Sequence, residues 1–410
     1  MKKISIMLAL TLALAACGKK NVKDDTADKA AKVSATAQEL GMQQEAVSAF
    51  QTAIDELAKP KPDNARAIEA LERSVSLEPE FAAAHYNLGL LYLNLGESQK
   101  ALDHLQTAKT RDPNVLDYTV ALGRAQAEAG NHAAAEALFA EVVAREPNNL
   151  AAKNNLAVLA FRKDDTEAAL KFLQEILRED SQNVPALTTL GQVYHKDGNL
   201  SLAKYVFKRA IKVDEKNADL HNNLGLVLMD EKDVPGAVTE FAKAIEHNPN
   251  YLESRLNLGA ILLEYLDYDR ASEQFAEAVR IAPSHCVARL GNAAALFAKG
   301  QHADSATNYQ FYVDNCDGKH VSSYERLAKL NESFLKQPAK AVQYYEKLVT
   351  LTDDKEKLTQ YNAMINFLKS QSAPKEQKQA EPDPAEAAPR NSGDSHPDPL
   401  PARGERESAA

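Results

Sequence analysis

Tryptophan is absent from this 410-residue chain, and aromatic residues make up only 6% of it. So few rings, beside recurrent alanine and leucine, argue against a β-rich core and for close-packed helices. Cysteine occurs three times, at 17, 286 and 316, which is too few for a disulfide framework or a Cys-rich metal centre. Positive charge is in the minority, with 48 Lys and Arg against 58 Asp and Glu for a formal net charge of -10. No basic cluster offsets that balance, and phosphate contacts need cations in number, so nucleic acid is excluded as a partner. The one long apolar run, Ile4 to Ala15, is too short for a permanent membrane span. Catalytic signatures are missing too: no GxSxG, no HExxH, no P-loop and no GxGxxG after a strand. The histidines are scattered and the carboxylates lie on polar helix faces. The expectation is a chain that is not an enzyme and carries neither cofactor nor metal.

What is present begins with a short export signal. Lys2 and Lys3 precede the apolar stretch, and Leu14-Ala15-Ala16-Cys17 ends it with small residues before the cysteine. This segment resembles the lipobox of bacterial lipoproteins. The resemblance implies that Cys17 is acylated and becomes the first residue of the mature chain. Gly18 stands where inner-membrane retention typically wants Asp, so the implied address is the outer membrane, with the chain facing the periplasm. Lipoprotein processing supplies more than one acyl chain, as a stable anchor requires.

Self-comparison reveals the organisation of the rest. A period of 34 residues runs from Ala82, with unit starts at Ala82, Leu116, Leu150, Val184, Ala218, Leu252 and Cys286. Position 7 of the unit holds Leu88, Leu122, Leu156, Leu190, Leu224 and Leu258. Position 8 holds Gly89, Gly123, Ala157, Gly191, Gly225 and Gly259. Position 20 is alanine from Ala101 to Ala271, and position 24 holds Leu105, Phe139, Leu173, Phe207, Phe241 and Phe275. Small residues at 8 and 20 let two helices approach, and the large ones at 7 and 24 fill the space beside them. Gly96, Gly130, Gly198 and Gly300 at position 15 suit a left-handed helix end. Asn131, Asp165, Asn199, Asp233 and Asp267 at position 16 suit N-caps. Pro185 and Pro235 fall in first turns, and proline at position 32 closes the unit. Each unit therefore reads as helix, tight turn, antiparallel helix, turn.

This pattern resembles the tetratricopeptide repeat. The resemblance implies an all-α solenoid, a right-handed superhelix of about nine helical hairpins with a capping helix. A divergent unit precedes Ala82, keeping Ala67, Leu71 and Pro79 in register. Another follows from His320, with Ala341 and Tyr345 slipped by about two residues, and a last amphipathic helix spans 354–370. The implied division is a signal peptide at 1–16, a lipidated cysteine with tether and N-terminal helix at 17–45, and the capped array at 46–370. A Pro/Ala/Glu-rich tail at 371–410 has too few large apolar side chains to build a core.

In stacked hairpins the first helices line a concave groove, and position 6 there carries Asn87, Asn155, Asn223 and Asn257, with Asn154 and Asn222 beside them at position 5. A carboxamide has donors and an acceptor, so such a row suits the backbone of an extended partner segment. It suits inter-repeat packing equally. Tyr86, Arg124, Phe161, His195, Met229 and Phe297 lie at positions that add specificity or simply cover a half-exposed helix face. Cys286 and Cys316 occupy positions 1 and 31 of one unit, where an antiparallel hairpin brings its ends together. That makes them a disulfide candidate, the alternative being two separate thiols.

A closer resemblance is to the TPR lipoproteins of gliding-motility machinery, through the lipobox, AVSAFQTAIDELAKPKPDNARAIEALERSVSLEPEFAAAHYNLG and SLAKYVFKRAIKVDEKNADLHNNLGLVLMDE. It implies a scaffold whose partners are envelope proteins held in the groove, with the membrane reached through the lipid anchor. The Cys286/Cys316 unit and the tail depart from that family. Rival readings are a pilotin-like lipoprotein for a secretin, a scaffold for cell-wall enzymes, and a recognition arm of an enzyme complex.

Overall fold

The computed structural model describes residues 43–372. The expected signal peptide, Cys17, the tether up to 42 and the tail from 373 lie outside those residues. The described part holds nineteen α-helices and no strand. They pair into nine hairpins, each a first (A) helix and a second (B) helix. The hairpins are α1 (Gln44–Leu57) with α2 (Asn64–Leu77), α3 (Ala82–Asn94) with α4 (Ser98–Arg111), α5 (Leu116–Glu128) with α6 (His132–Arg145), and α7 (Leu150–Arg162) with α8 (Thr166–Glu179). They continue as α9 (Val184–Lys196) with α10 (Leu200–Val213), α11 (Ala218–Asp230) with α12 (Val234–His247), α13 (Leu252–Glu264) with α14 (Tyr268–Ile281), and α15 (Cys286–Ala298) with α16 (His302–Asn315). The ninth joins α17 (Val321–Lys329) to α18 (Pro338–Leu351), and α19 (Lys355–Ser372) closes the stack. Within the described residues the first helix starts at Gln44 and the last ends at Ser372.

Packing follows the repeat positions. Inside a hairpin the A helix lays position 8 on the large residue at position 24 of the B helix. A Cβ added at Gly225 would sit 2.6 Å from the Phe241 ring, and one at Gly123 would sit 2.5 Å from Phe139. The glycines are therefore what admits the phenylalanines, which are wholly buried. Substantial helix contacts join only members of one hairpin or of adjacent hairpins, so the core is a continuous strip, not a single centre.

Local signals end the helices as the sequence suggests, with two corrections. Position 15 is left-handed in every regular unit, at Gly96, Gly130, Gly198 and Gly300 but also at Asp164, Lys232 and Leu266. Asp165, Asp233 and Asp267 do cap their B helices. Asn131 and Asn199 do not; the Asn131 amide turns instead to Gln126 Oε1. The asparagines that cap are Asn149, Asn183 and Asn217, at the starts of A helices. The two-residue slip of the ninth hairpin has a visible cause: Leu330–Phe334 forms a π-helical turn after α17, which inserts extra chain before α18.

Leu266 pairs a strained backbone, φ 64°, with a side chain that is 67% exposed. Leu266→Gly is expected to raise stability by about 0.5–1 kcal/mol, the left-handed penalty less the added chain entropy of glycine. Urea unfolding checks this, and an unchanged or lower midpoint would refute it.

Candidate functional site

The A helices form one layer and the B helices another. Position 4 of the A helix turns toward the B layer, where it builds a recurrent strut. Arg255 donates through Nε to the Pro249 carbonyl at 2.8 Å and through Nη1 to Gln274 Oε1 at 2.9 Å. Arg289 does the same to the Pro283 carbonyl and to Asn308 Oδ1. His221 faces the Glu215 carbonyl and Glu240, and His85 faces the Pro79 carbonyl and His104. Each strut ties the end of the preceding hairpin to both helices of its own. Position 4 also holds Thr119 and Leu187, and the partners of the struts, six residues back and nineteen ahead, have no signature in the sequence.

The two histidine struts differ in charge. A carbonyl can only accept, so His221 Nε2 and His85 Nε2 both donate. Glu240 Oε2 lies 2.6 Å from His221 Nδ1, which makes that nitrogen a donor too and the ring an imidazolium. His85 Nδ1 lies 2.9 Å from His104 Nδ1, so one of these nitrogens must be bare and the two rings cannot both be charged. Burial opposes charge on His221, but the bonds to Glu240 and the Glu215 carbonyl outweigh it and raise its pKa. Burial, chiefly, lowers the pKa of His85 and of His104.

The signs are opposite. The raised His221 contributes stability that is full below the ordinary histidine value of 6.5 and is lost as pH rises through its folded pKa. The lowered pair carries no penalty above 6.5, and its penalty grows as pH falls toward their folded values. Acidification from neutrality to about pH 5 is therefore expected to loosen α3 and α4 relative to α11 and α12, read by amide exchange corrected for intrinsic rate. His104→Glu, which copies the Glu240 arrangement, should reverse the trend in α3 and α4. Equal acid response of the two hairpins would sink the assignment.

Position 6 lies at the seam with the preceding hairpin. Asn257 Nδ2 donates to Asn222 Oδ1 of the hairpin before it at 3.1 Å, and Ser254 Oγ donates to the same oxygen at 2.9 Å. A Cβ added at Gly291, the equivalent place in α15, would lie 2.2 Å from Phe275 of the preceding hairpin. Asn87, Asn155 and Asn223 each donate to the carbonyl one turn back in their own helix, and Asn87 and Asn223 are buried. Asn154 Oδ1 faces the Thr189 hydroxyl at 3.5 Å. Tyr86 is buried too and packs at a tilt against Tyr118 with ring centroids 4.9 Å apart. Burial, first of all, pushes its phenol up to about 12.

The asparagine row is therefore engaged largely within the protein, with Asn222 as a joint between the sixth and seventh hairpins. Asn222→Ala is expected to cost about 1–3 kcal/mol, because Ser254 and Asn257 lose their buried acceptor. Asn155→Ala should leave the melting temperature unchanged. Equal melting of both variants would contradict this division.

Positions 2, 9, 12 and 13 remain as the outward face of the A layer. They include Arg124, exposed and without an ion-pair partner among the described residues, and the half-buried Val158, Phe161, Leu226 and Met229. Phe297 lies there as well, with the Arg326 guanidinium 4.8 Å from its ring. His195 reaches across to Asp230 of the sixth hairpin at 2.7 Å. Cys286 and Cys316 are joined as a disulfide, with Cα atoms 5.7 Å apart, bolting the start of α15 to the end of α16. Among the described residues no group of three or more His, Cys, Asp or Glu side chains could hold a metal. None of the helices there is long and apolar enough to cross a membrane.

A one-dimensional stack of paired helices with a long open A face is the architecture of a protein-interaction scaffold, a class that binds partner proteins and is generally non-enzymatic. Tetratricopeptide-repeat models match residues 62–115 and 126–192, and a TPR-repeat model matches 191–232. Those segments are tetratricopeptide repeats, and the described residues as a whole form the helical-hairpin solenoid of such repeats.

Among curated proteins the chain is 32% identical over 110 residues to BBSome complex member BBS4 of Bos taurus, covering 27% of this chain and 21% of that one. The chain thus spans about a fifth of that relative. Among solved structures, PilF of Pseudomonas aeruginosa is 21% identical, covering 52% of this chain and 96% of that one, with a TM-score of 0.45. PilW, a type IV pilus biogenesis factor, is 20% identical, covering 52% and 98%, with a TM-score of 0.41. YrrB, described as a TPR protein with an unusual peptide-binding site, is 24% identical, covering 46% and 96%, with a TM-score of 0.37.

Proposed function

We propose that this chain is a non-enzymatic scaffold of the bacterial envelope. Cys17 is acylated and holds it to the outer membrane, and the open face of its A helices holds extended segments of other envelope proteins in the periplasm. The observation that carries the binding role is that face itself. Positions 9 and 12 stay half-buried or exposed through hairpin after hairpin, at Val158, Phe161, Gln192, His195, Leu226, Met229 and Leu263. Phe161, Leu226, Met229 and Leu263 pack against the core on one side and stay partly open to solvent on the other. Leu14-Ala15-Ala16-Cys17-Gly18 supports the anchor. The motility-like segments quoted above favour an envelope-spanning motility complex as the setting.

A photo-crosslinking residue at Val158, Leu226 or Ala260 should capture one common partner, while the same residue at Lys208 or Glu273 on the B helices should not. Capture only from the B helices would reject the binding face. For the anchor, Cys17→Ala should move the chain from the outer-membrane fraction to the soluble periplasm; retention of the variant in the outer membrane would reject it.

A further inference from the structure

The outward face is divided by charge. Positions 2, 9, 12 and 13 of α7 and α9 carry Arg162, His195 and Lys196 and no acid. The same positions of α11 and α13 carry Asp219, Asp230, Glu253 and Glu264 and no cation. Each of these side chains except half-buried His195 is exposed.

The protein itself neutralises only part of this set. His195 meets Asp230 across the boundary at 2.7 Å. Lys196 pairs with Asp164 and lies 4.9 Å above the Phe161 ring. Asp219 accepts from the Tyr251 hydroxyl at 2.8 Å. Arg162, Glu253 and Glu264 have no ion-pair partner among the described residues. Interleaved with these charges the floor is apolar on α7, α11 and α13, with Phe161, Leu226, Met229 and Leu256 half-buried.

We propose that this face takes an extended, charge-segregated segment of a partner protein, acidic over α7 and α9 and basic over α11 and α13, with apolar side chains between. The inference deepens the binding role proposed above and rests on it. Complementarity sets both register and direction: a segment laid the wrong way places like charges together over both tracts.

The spacing is set by the stack. Packed helices lie about 10 Å apart, so two hairpins span about 20 Å, or about six extended residues at about 3.3 Å each. The recognised element is therefore an acidic pair and a basic pair separated by about six residues. Exposed charge pairs are individually weak and screened by salt. The selectivity then comes from the pattern and weakens as salt rises.

The probes are fluorescein-labelled peptides titrated against the full chain by fluorescence anisotropy. Two carry Glu-Glu and Lys-Lys separated by alternating Leu and Ser, in either chain direction. A third has the same composition with its charges alternating. One segregated peptide is expected to bind about tenfold more tightly than the alternating one, the worth of two exposed charge contacts. Glu253→Lys with Glu264→Lys, both exposed, should remove that advantage. A peptide whose lysines are replaced by glutamate should regain it on this variant, and unchanged thermal melts show that the variants fold. Equal binding of segregated and alternating peptides, no binding by either segregated peptide, or indifference to the double reversal would overturn the proposal. A partner captured from Val158 and Leu226 but indifferent to the reversal defeats this inference alone; capture only from the B helices defeats the binding role itself.

Discussion

Truncation of Phe241 to alanine is expected to cost about 3–5 kcal/mol, the range for emptying a buried aromatic site. The ring is fully buried between its own hairpin and the next, and the absent Cβ of Gly225 leaves it room. The reciprocal change, Gly225→Ala, places a methyl carbon 2.6 Å from that ring and should cost about 1–3 kcal/mol by overpacking. The fourth hairpin shows how the two can be reconciled, since it pairs Ala157 with Leu173, both fully buried. Gly225→Ala combined with Phe241→Leu copies that pair and should cost clearly less than the sum of Gly225→Ala and Phe241→Leu made singly, a coupling that the double-mutant cycle of parent, the two singles and the double reads directly. Chemical denaturation of the four proteins is the measurement; strict additivity would mean that positions 8 and 24 are not the contact that sets hairpin spacing.

Loss of the Cys286–Cys316 bridge is the other large effect. The cross-link closes a separation of 30 residues, worth about 3–4 kcal/mol in the chain-entropy model. Cys286→Ser with Cys316→Ser should bring the loss without leaving a lone thiol. Because substantial contacts reach only adjacent hairpins, amide exchange should rise in α15 and α16 and in their neighbours while α3 and α4 stay as protected as before. If the double variant is as stable as the parent, or if both thiols label in non-reduced protein, the bridge contributes nothing.

The hairpins were legible because their positions repeat. Leu88, Gly89, Ala101 and Leu105 recur with the same spacing in unit after unit, so each packing rule is tested several times over. The slip before α18 was legible only as a shift of Ala341; that a π-helical turn at Leu330–Phe334 produces it depends on backbone hydrogen bonding, which has no residue signature. Caps were half legible. Aspartate at position 16 does cap, while Asn131 finds a nearer partner in Gln126.

The outward face of the A helices was legible as a set of positions but not as chemistry. The sequence shows Asn222 and Asn257 on successive helices. Only the stacking offset of one hairpin on the next decides that their amides meet each other. The struts escaped for the same reason, since nothing in the sequence sets the carbonyls of Pro79 and Pro249 beside His85 and Arg255.

Nearest-neighbour contact gives the array the mechanics of a coil spring. Small rotations between hairpins add along its length, so its span can change by a large total while no single packing contact is broken. A tensile load is shared in series and yields first at the weakest joint between hairpins. The disulfide lies within one hairpin, Cys286 to Cys316, so it protects a coil without stiffening the joints on either side. A molecule built this way tolerates relative movement of the bodies it connects.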